Sequence, residues 1–308
     1  MPTLTCEQIG SGPPLVILHG LFGSGKNWRH IAKQLQETHA VFLLDLRNHG
    51  ASFHDPVMDY EIMAADVEQF LQAQHLTHLS LLGHSMGGKV AMVVATRQPH
   101  HVARLMVVDI APKAYPPIHS PIIAALQSVD VTTVQSRMEV DRQLAERVPD
   151  RVTRQFLLAN LVRETNGHYW RGSRRPLQRQ SRWSLPLSAA VRLGRGAPDI
   201  SPGPHYRWQW HLEAIAAHYD ALIGMPPLHG TFTGPTRFVR GGRSDYLSEE
   251  DLPVIHRHFP TATLTTLREA GHWPHIDAPA AFVRLLSAWL HTPPRIAVAH
   301  VLRPTLDK

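Results

Sequence analysis

The run Leu79-Ser80-Leu81-Leu82-Gly83-His84-Ser85-Met86-Gly87-Gly88-Lys89-Val90-Ala91-Met92-Val93-Val94-Ala95 decides how the chain is read. Its first four residues form an apolar strand-like block, and the stretch from Lys89 to Ala95 has the composition of a buried helix. A strand that reverses into a helix within one residue brings neighbouring backbone too close for side chains, which explains glycine at 83 and 87. Ser85 then occupies a strained, exposed elbow. The backbone N–H of Met86, at the helix start, points at the same spot as half of an oxyanion hole.

Similar apolar blocks bounded by Gly, Pro, Asp or His recur at Leu15–Leu18, Val41–Leu44, Leu105–Val108, Arg237–Arg240 and Thr263–Leu267. All read as strands of a mainly parallel sheet, and the continuous apolar runs at 15–18, 41–44, 79–82 and 105–108 predict burial on both faces. Between them, Trp28, Ile31, Ala32 and Leu35 share one helical face, as do Ile62, Ala65, Phe70 and Ala73 behind a capping aspartate, Asp59. Alternating strand and helix predicts a doubly wound α/β fold. The pattern stops after Asp109 and returns near residue 236. Helical runs are expected instead at 120–128, 133–147, 150–163 and 211–223. The expected organisation is a sheet domain of residues 1–111 and 236–291, a helical cap of 112–235 over the strand ends, and a tail of 292–308.

The cap includes an unusual segment, 171–205. It carries Arg171, Arg174, Arg175, Arg179, Arg182, Arg192 and Arg195 against one acid, Asp199, so it accounts for the whole formal charge of +6. The rest of the chain is formally neutral, and only Trp183 stands among the arginines as a stacking aromatic, which argues against a nucleic-acid partner. His168-Tyr169-Trp170-Arg171 and His205-Tyr206-Arg207-Trp208 bracket the segment, as though it had been placed inside one connection.

Composition narrows the functional classes. A chain of 308 residues that is 43% hydrophobic can bury a sizeable core, and no stretch reaches the roughly 20 apolar residues of a membrane span. Met1 to Ile9 lacks the blocks of a secretory signal, so a cytoplasmic location is expected. The single cysteine, Cys6, has no disulfide partner in the chain. Twenty-two histidines invite a metal, but no His-Glu-x-x-His occurs, and pairs such as His256 with His258 lack suitable carboxylates. No metal or cofactor is expected.

A serine hydroxyl at neutral pH needs a base in hydrogen-bond reach and an acid to orient that base. His272, in Ala270-Gly271-His272-Trp273 after the last strand, lies at the sheet edge that carries Ser85. Two aspartates end strands on that edge, Asp109 and Asp245, and chain order suits either as the acid. The second oxyanion donor is expected in His19-Gly20-Leu21-Phe22-Gly23, from Leu21 N–H in preference to Phe22. Phe22, His84 and Trp273 flank these positions and are the expected substrate contacts.

His19-Gly20-Leu21-Phe22-Gly23-Ser24, Asp45-x-Arg47-Asn48-His49-Gly50-x-Ser52, Gly83-His84-Ser85-Met86-Gly87-Gly88-Lys89, Asp109-Ile110-Ala111-Pro112 and Gly271-His272-Trp273 together resemble the α/β-hydrolase superfamily. More narrowly they are similar to the esterase branch of the YbfF-type esterases and ABHD11-like proteins. The resemblance covers residues 10–165 and 207–290. It implies a cofactor-independent serine hydrolase acting on small carboxylic esters of short to medium acyl chain. It also implies that the acid can come from the strand after the nucleophile, Asp109, or from the later position, Asp245. Alternatives are a thioesterase using the same chemistry and a non-catalytic binding protein on the same fold. The Asp45–Ser52 motif is read as a buried turn bracing the site loops.

Overall fold

Nine strands and eleven α-helices make up the part of this computed structural model that can be described, residues 2–164 and 205–291. The first half runs β1 (Cys6–Ile9), β2 (Pro14–Leu18), α1 (Arg29–Leu35), β3 (Ala40–Leu44), α2 (Tyr60–Ala73), β4 (Leu79–His84), α3 (Met86–Arg97) and β5 (Val102–Val108). Then come α4 (Ser120–Gln127), α5 (Arg137–Ala145), α6 (Arg151–Leu158), β6 (Leu161–Glu164), β7 (His205–Trp208), α7 (Leu212–Ala217) and α8 (Tyr219–Ile223). The chain returns to the sheet with β8 (Thr236–Gly241), α9 (Leu252–His258), β9 (Thr263–Leu267), α10 (Pro274–Asp277) and α11 (Pro279–His291).

All six strands expected from the sequence enter one seven-stranded sheet, in the order β1-β3-β2-β4-β5-β8-β9. Its pairings are parallel except that of β1, which runs antiparallel to β3 at the edge. Strand side chains alternate between two cores, which is why β2 and β3 read as unbroken apolar runs. Val16, Leu18, Phe42 and Leu44 face α2 and α3, whereas Leu15, Ile17, Val41 and Leu43 face Trp28 and Ile31 at α1 and Phe282 and Leu286 of α11. Strand order reverses around β2: β3 lies on one side and β4 on the other. The crevice beyond the carboxyl ends of β2 and β4 lies at this switch point, the place where open α/β sheets generally bind ligands.

Three expectations need correction. The face of α2 that packs on the sheet is Tyr60, Met63, Ala64, Val67, Phe70 and Leu71, so of the four residues expected there only Phe70 is buried. Asp59 does cap the helix, accepting from Ile62 N–H at 2.8 Å. The helix expected over 150–163 ends at Leu158. Asn160, a weak helix former, instead sends its side-chain N–H to the carbonyl of Phe22 at 2.9 Å, and Leu161–Glu164 pairs antiparallel with His205–Trp208. The described part of the excursion between β5 and β8 is thus helices plus a two-strand ribbon. The expected segment 171–205 lies outside the described residues up to 204, and the tail 292–308 lies wholly outside them. Among the described residues no helix is long and apolar enough to cross a membrane.

Candidate active site

The turn after β4 has the geometry its glycines require. Ser85 sits at φ 51°, in the left-handed region where a side chain is strained. A Cβ on Gly83 would lie 2.1 Å from the carbonyl oxygen of Gly87, and one on Gly87 would lie 2.5 Å from those of Leu18 and His19. Neither position tolerates alanine without moving backbone. Gly20 plays the matching part on the β2 side, where a Cβ would come within 2.8 Å of His84 Nδ1 and 3.3 Å of Ser85 Cβ. The elbow and the loop after β2 can therefore touch.

Three side chains from separate strand ends meet at the elbow. Ser85 Oγ lies 3.0 Å from His272 Nε2, and His272 Nδ1 lies 2.8 Å from Asp109 Oδ2. Since the carboxylate can only accept, Nδ1 carries the proton and Nε2 is left to receive the serine hydroxyl. Asp109 is fully buried and also at positive φ, 53°. Its Oδ1 accepts from Gly241 N–H at 2.8 Å, and the hydroxyl of Ser244 donates to Oδ2. Asp245, the other candidate, is exposed; the side-chain bonds of His272 go to Ser85 and Asp109, and it is the neighbour Ser244 that turns inward.

The loop after β2 separates the two possible donors. Phe22 N–H is already committed, donating to His49 Nε2 at 3.2 Å, whereas Leu21 lines the same pocket as Ser85 and Met86. The Asp45–Ser52 turn holds this loop through backbone bonds. Asp45 accepts from Gly25 N–H and Ala51 N–H, at 2.7 and 2.8 Å, while His19 Nε2 accepts from Leu46 N–H at 3.0 Å. A Cβ on Gly50 would strike the Asp45 carboxylate at 2.2 Å.

None of the expected substrate contacts, Phe22, His84 and Trp273, lines the pocket that holds Ser85. Phe22 is buried against Trp210, with ring centroids 5.1 Å apart. His84 alternates to the opposite side of the strand from the elbow, and its Nε2–H donates to the carbonyl of His272 at 2.7 Å, fixing that loop from beneath. Trp273 is half-buried and packs on Phe156. The apolar lining comes from Leu21, Met86, Ile110, Pro116, Ile118, Leu222 and Ile223. Its polar side chains are Tyr60, Ser85, Lys89, Tyr115, His119, Tyr219 and Tyr246. Tyr246 stacks on His272, centroids 3.8 Å apart, and its hydroxyl lies 3.2 Å from His119 Nε2. Sequence reasoning missed Tyr246, His119 and Ser244, which carry no periodic or motif signal. Lys89 did carry one, as a lone charge inside an apolar helical run.

Buried histidines around the site are held neutral. His19 is pushed down to about 4 and His49 to about 3, chiefly by loss of solvent, and each accepts a backbone N–H on Nε2 that a protonated ring would oppose. Burial likewise takes His84 to about 3 and His119 to about 4. A folded pKa lowered below the unfolded value means that the unfolded chain takes up protons the native chain refuses, so this stability is present above pH 6.5 and lost on acidification. Each ring contributes a slope of up to ~1.4 kcal/mol per pH unit between its two values. Urea unfolding at pH 7.5 and 5.0 is expected to show a clearly lower midpoint at pH 5.0; equal midpoints would contradict neutral burial.

This site can be set beside known proteins. A family model described as alpha/beta hydrolase fold matches residues 13–279. The chain is 37% identical over 290 residues to a Danio rerio protein named sn-1-specific diacylglycerol lipase ABHD11, covering 91% of this chain and 79% of that one. It is 28% identical over 288 residues to the Escherichia coli protein named Esterase YbfF, covering 93% and 96% of the two chains. A solved structure titled marine microorganism esterase superposes with a TM-score of 0.79 at 34% identity, over 94% of this chain and all of that one. With a matched family profile, a shared sheet and these relatives, the chain belongs to the α/β-hydrolase family, in the group of ABHD11 lipases and YbfF-type esterases.

Proposed function

We propose that this enzyme is a serine esterase that cleaves carboxylic esters of short to medium acyl chain through an acyl-enzyme on Ser85. The observation that carries the reading is the hydrogen-bonded series from Ser85 Oγ to His272 to the buried carboxylate of Asp109. In this mechanism His272 Nε2 takes the hydroxyl proton as Ser85 Oγ attacks the ester carbonyl. The N–H groups of Leu21 and Met86 stabilise the oxyanion, Phe22 N–H being occupied by His49. Protonated His272 then passes its proton to the leaving alcohol. A water, deprotonated by the same imidazole, cleaves the acyl-enzyme, and Ser85 recovers its proton. Asp109 holds the tautomer throughout, and Gly241 N–H and the Ser244 hydroxyl hold its carboxylate in place.

The acyl group is assigned to the pocket beside Ser85, whose lining from the proposed cap includes Tyr115, His119, Tyr219 and Leu222. That pocket is walled by Leu21, Tyr60, Tyr219, Leu222 and Ile223, an apolar setting that suits a short to medium acyl chain. Esterase and lipase names among the relatives agree with ester chemistry. Turnover of p-nitrophenyl esters from acetate to palmitate tests the reading. The largest kcat/KM is expected between C4 and C8, with palmitate at least about tenfold lower. A maximum at palmitate would overturn the chain-length assignment, and no hydrolysis of any ester by folded protein would overturn esterase activity.

A further inference from the structure

Lys89 stands four residues after Ser85 on α3, and its side chain is 1% exposed. Helical side chains lean towards the helix N-terminus, so this one runs back towards the elbow. It lines the same pocket as Ser85. Its Nζ donates to the carbonyls of Ile223 and Gly224, at 3.2 and 2.5 Å, and lies over the rings of Tyr115 and Tyr60, at 4.8 and 5.3 Å from their centroids. Every one of these partners is neutral, since burial raises both tyrosine hydroxyls far above their usual range. Among the described residues no aspartate or glutamate lines the pocket, and the histidine that does, His119, is kept neutral by burial.

An ammonium in such a place is costly unless something offsets its charge. Two carbonyls take two of its three N–H bonds, and the tyrosine faces supply only quadrupole attraction. The second lysine over Tyr115, Lys113, has its own acid, Asp251, at 2.6 Å. Lys89 has none among the described residues, and burial brings it down to about 7. A pocket that only had to hold a hydrocarbon chain would be better served at this position by leucine or methionine. What would complete the charge balance is an anion brought in by the substrate.

We infer that Lys89 forms an anion subsite within the acyl pocket, and that the preferred acyl group carries a carboxylate a few carbons from the scissile carbonyl, as in the half-ester of a short dicarboxylic acid. The four-residue separation on one helix, a rise of about 6 Å, suits a short spacer. The inference rests on the ester-hydrolase reading for its reaction but not for its binding contact. The rival role for Lys89 is to tie the end of α8 to α3 and nothing more. That role lowers activity towards all substrates alike, whereas a subsite alters their ratio.

The test compares monoethyl glutarate with ethyl pentanoate, which share chain length and differ in one carboxylate. The parent enzyme is expected to show a kcat/KM at pH 7 about 10- to 100-fold higher for the half-ester, the range of a charge-assisted hydrogen bond. In Lys89→Met this advantage should disappear. Hydrolysis of both esters by the parent without a preference, or equal losses on both esters in the variant, would overturn the subsite. A second measurement needs neither turnover nor a folded Lys89 variant: calorimetry on Ser85→Ala protein is expected to detect glutarate binding at least about tenfold tighter than pentanoate. Equal binding would overturn the proposal. Selective glutarate binding by a protein whose parent hydrolyses neither ester would uphold the subsite and reject the esterase reading.

Discussion

Replacing Ser85 by alanine is expected to lower kcat on p-nitrophenyl butyrate by about 10⁴- to 10⁶-fold while leaving the urea midpoint close to the parent's. The expected loss is large because, among the described residues, the hydroxyl bonded to His272 Nε2 is that of Ser85, and without Oγ the base has no nucleophile to deprotonate. Residual turnover would come from the oxyanion donors and the neutral imidazole activating water. Stability should hold because alanine meets the same backbone strain at φ 51° that serine does, and the elbow is fixed by Gly88 and Lys89 N–H donating to the Ser85 carbonyl, at 2.8 and 3.1 Å. Steady-state kinetics with a parallel unfolding curve checks both parts. Retention of more than about a hundredth of parental kcat would be incompatible with the assigned role.

The second large effect separates the two aspartates. Asp109→Asn is expected to cost about 10⁴-fold in kcat, whereas Asp245→Asn should stay within about threefold of the parent. An asparagine at 109 has one acceptor oxygen for three donors: Gly241 N–H, Ser244 O–H and His272 Nδ1–H. If its amide turns towards the imidazole, Nδ1 must accept, the proton moves to Nε2, and the base is lost. Asp109→Asn should also unfold at lower urea, because the site is fully buried and the amide N–H groups then face other donors. Asp245 is exposed, and its amide changes little. The reverse order of losses, measured at saturating ester, would transfer the acid role to Asp245.

Much of this architecture was legible before any coordinates, and the reasons differ by element. Strands β2 to β5 could be read because both faces are buried and the apolar runs are nearly unbroken, whereas β8, with Arg237 and Arg240, and β9, with Thr263, Thr265 and Thr266, were marked by short β-forming blocks between turn residues. Strand β1, with Glu7 and Gln8 in a four-residue edge strand, offers no such signal. The elbow was legible because Gly83 and Gly87 answer to backbone contacts within the motif itself. The choice between Asp109 and Asp245 was not. Both end strands on the same edge, and what distinguishes them is the positive φ of Asp109 and the inward turn of Ser244, which are long-range consequences of packing. His84, Phe22 and Trp273 were placed near the substrate because they adjoin Ser85, Leu21 and His272 in sequence. Strand alternation and tertiary packing direct those side chains elsewhere, and residues far away in sequence, Tyr115, Tyr219 and Tyr246, line the pocket instead. The end of α6 was misplaced for a similar reason, since the bond from Asn160 to Phe22 spans 138 residues.

The assignment of Ser85 as an activated nucleophile is tested most directly by peptide mapping after treatment with a fluorophosphonate, which is attacked by a serine oxygen only where a base and an oxyanion hole are assembled around it. The account predicts a single adduct on the peptide carrying Ser85, formed in step with loss of esterase activity and absent from Ser85→Ala and His272→Ala proteins. Folded parent protein that takes up no label, or takes it up on another residue while activity is lost, would contradict it.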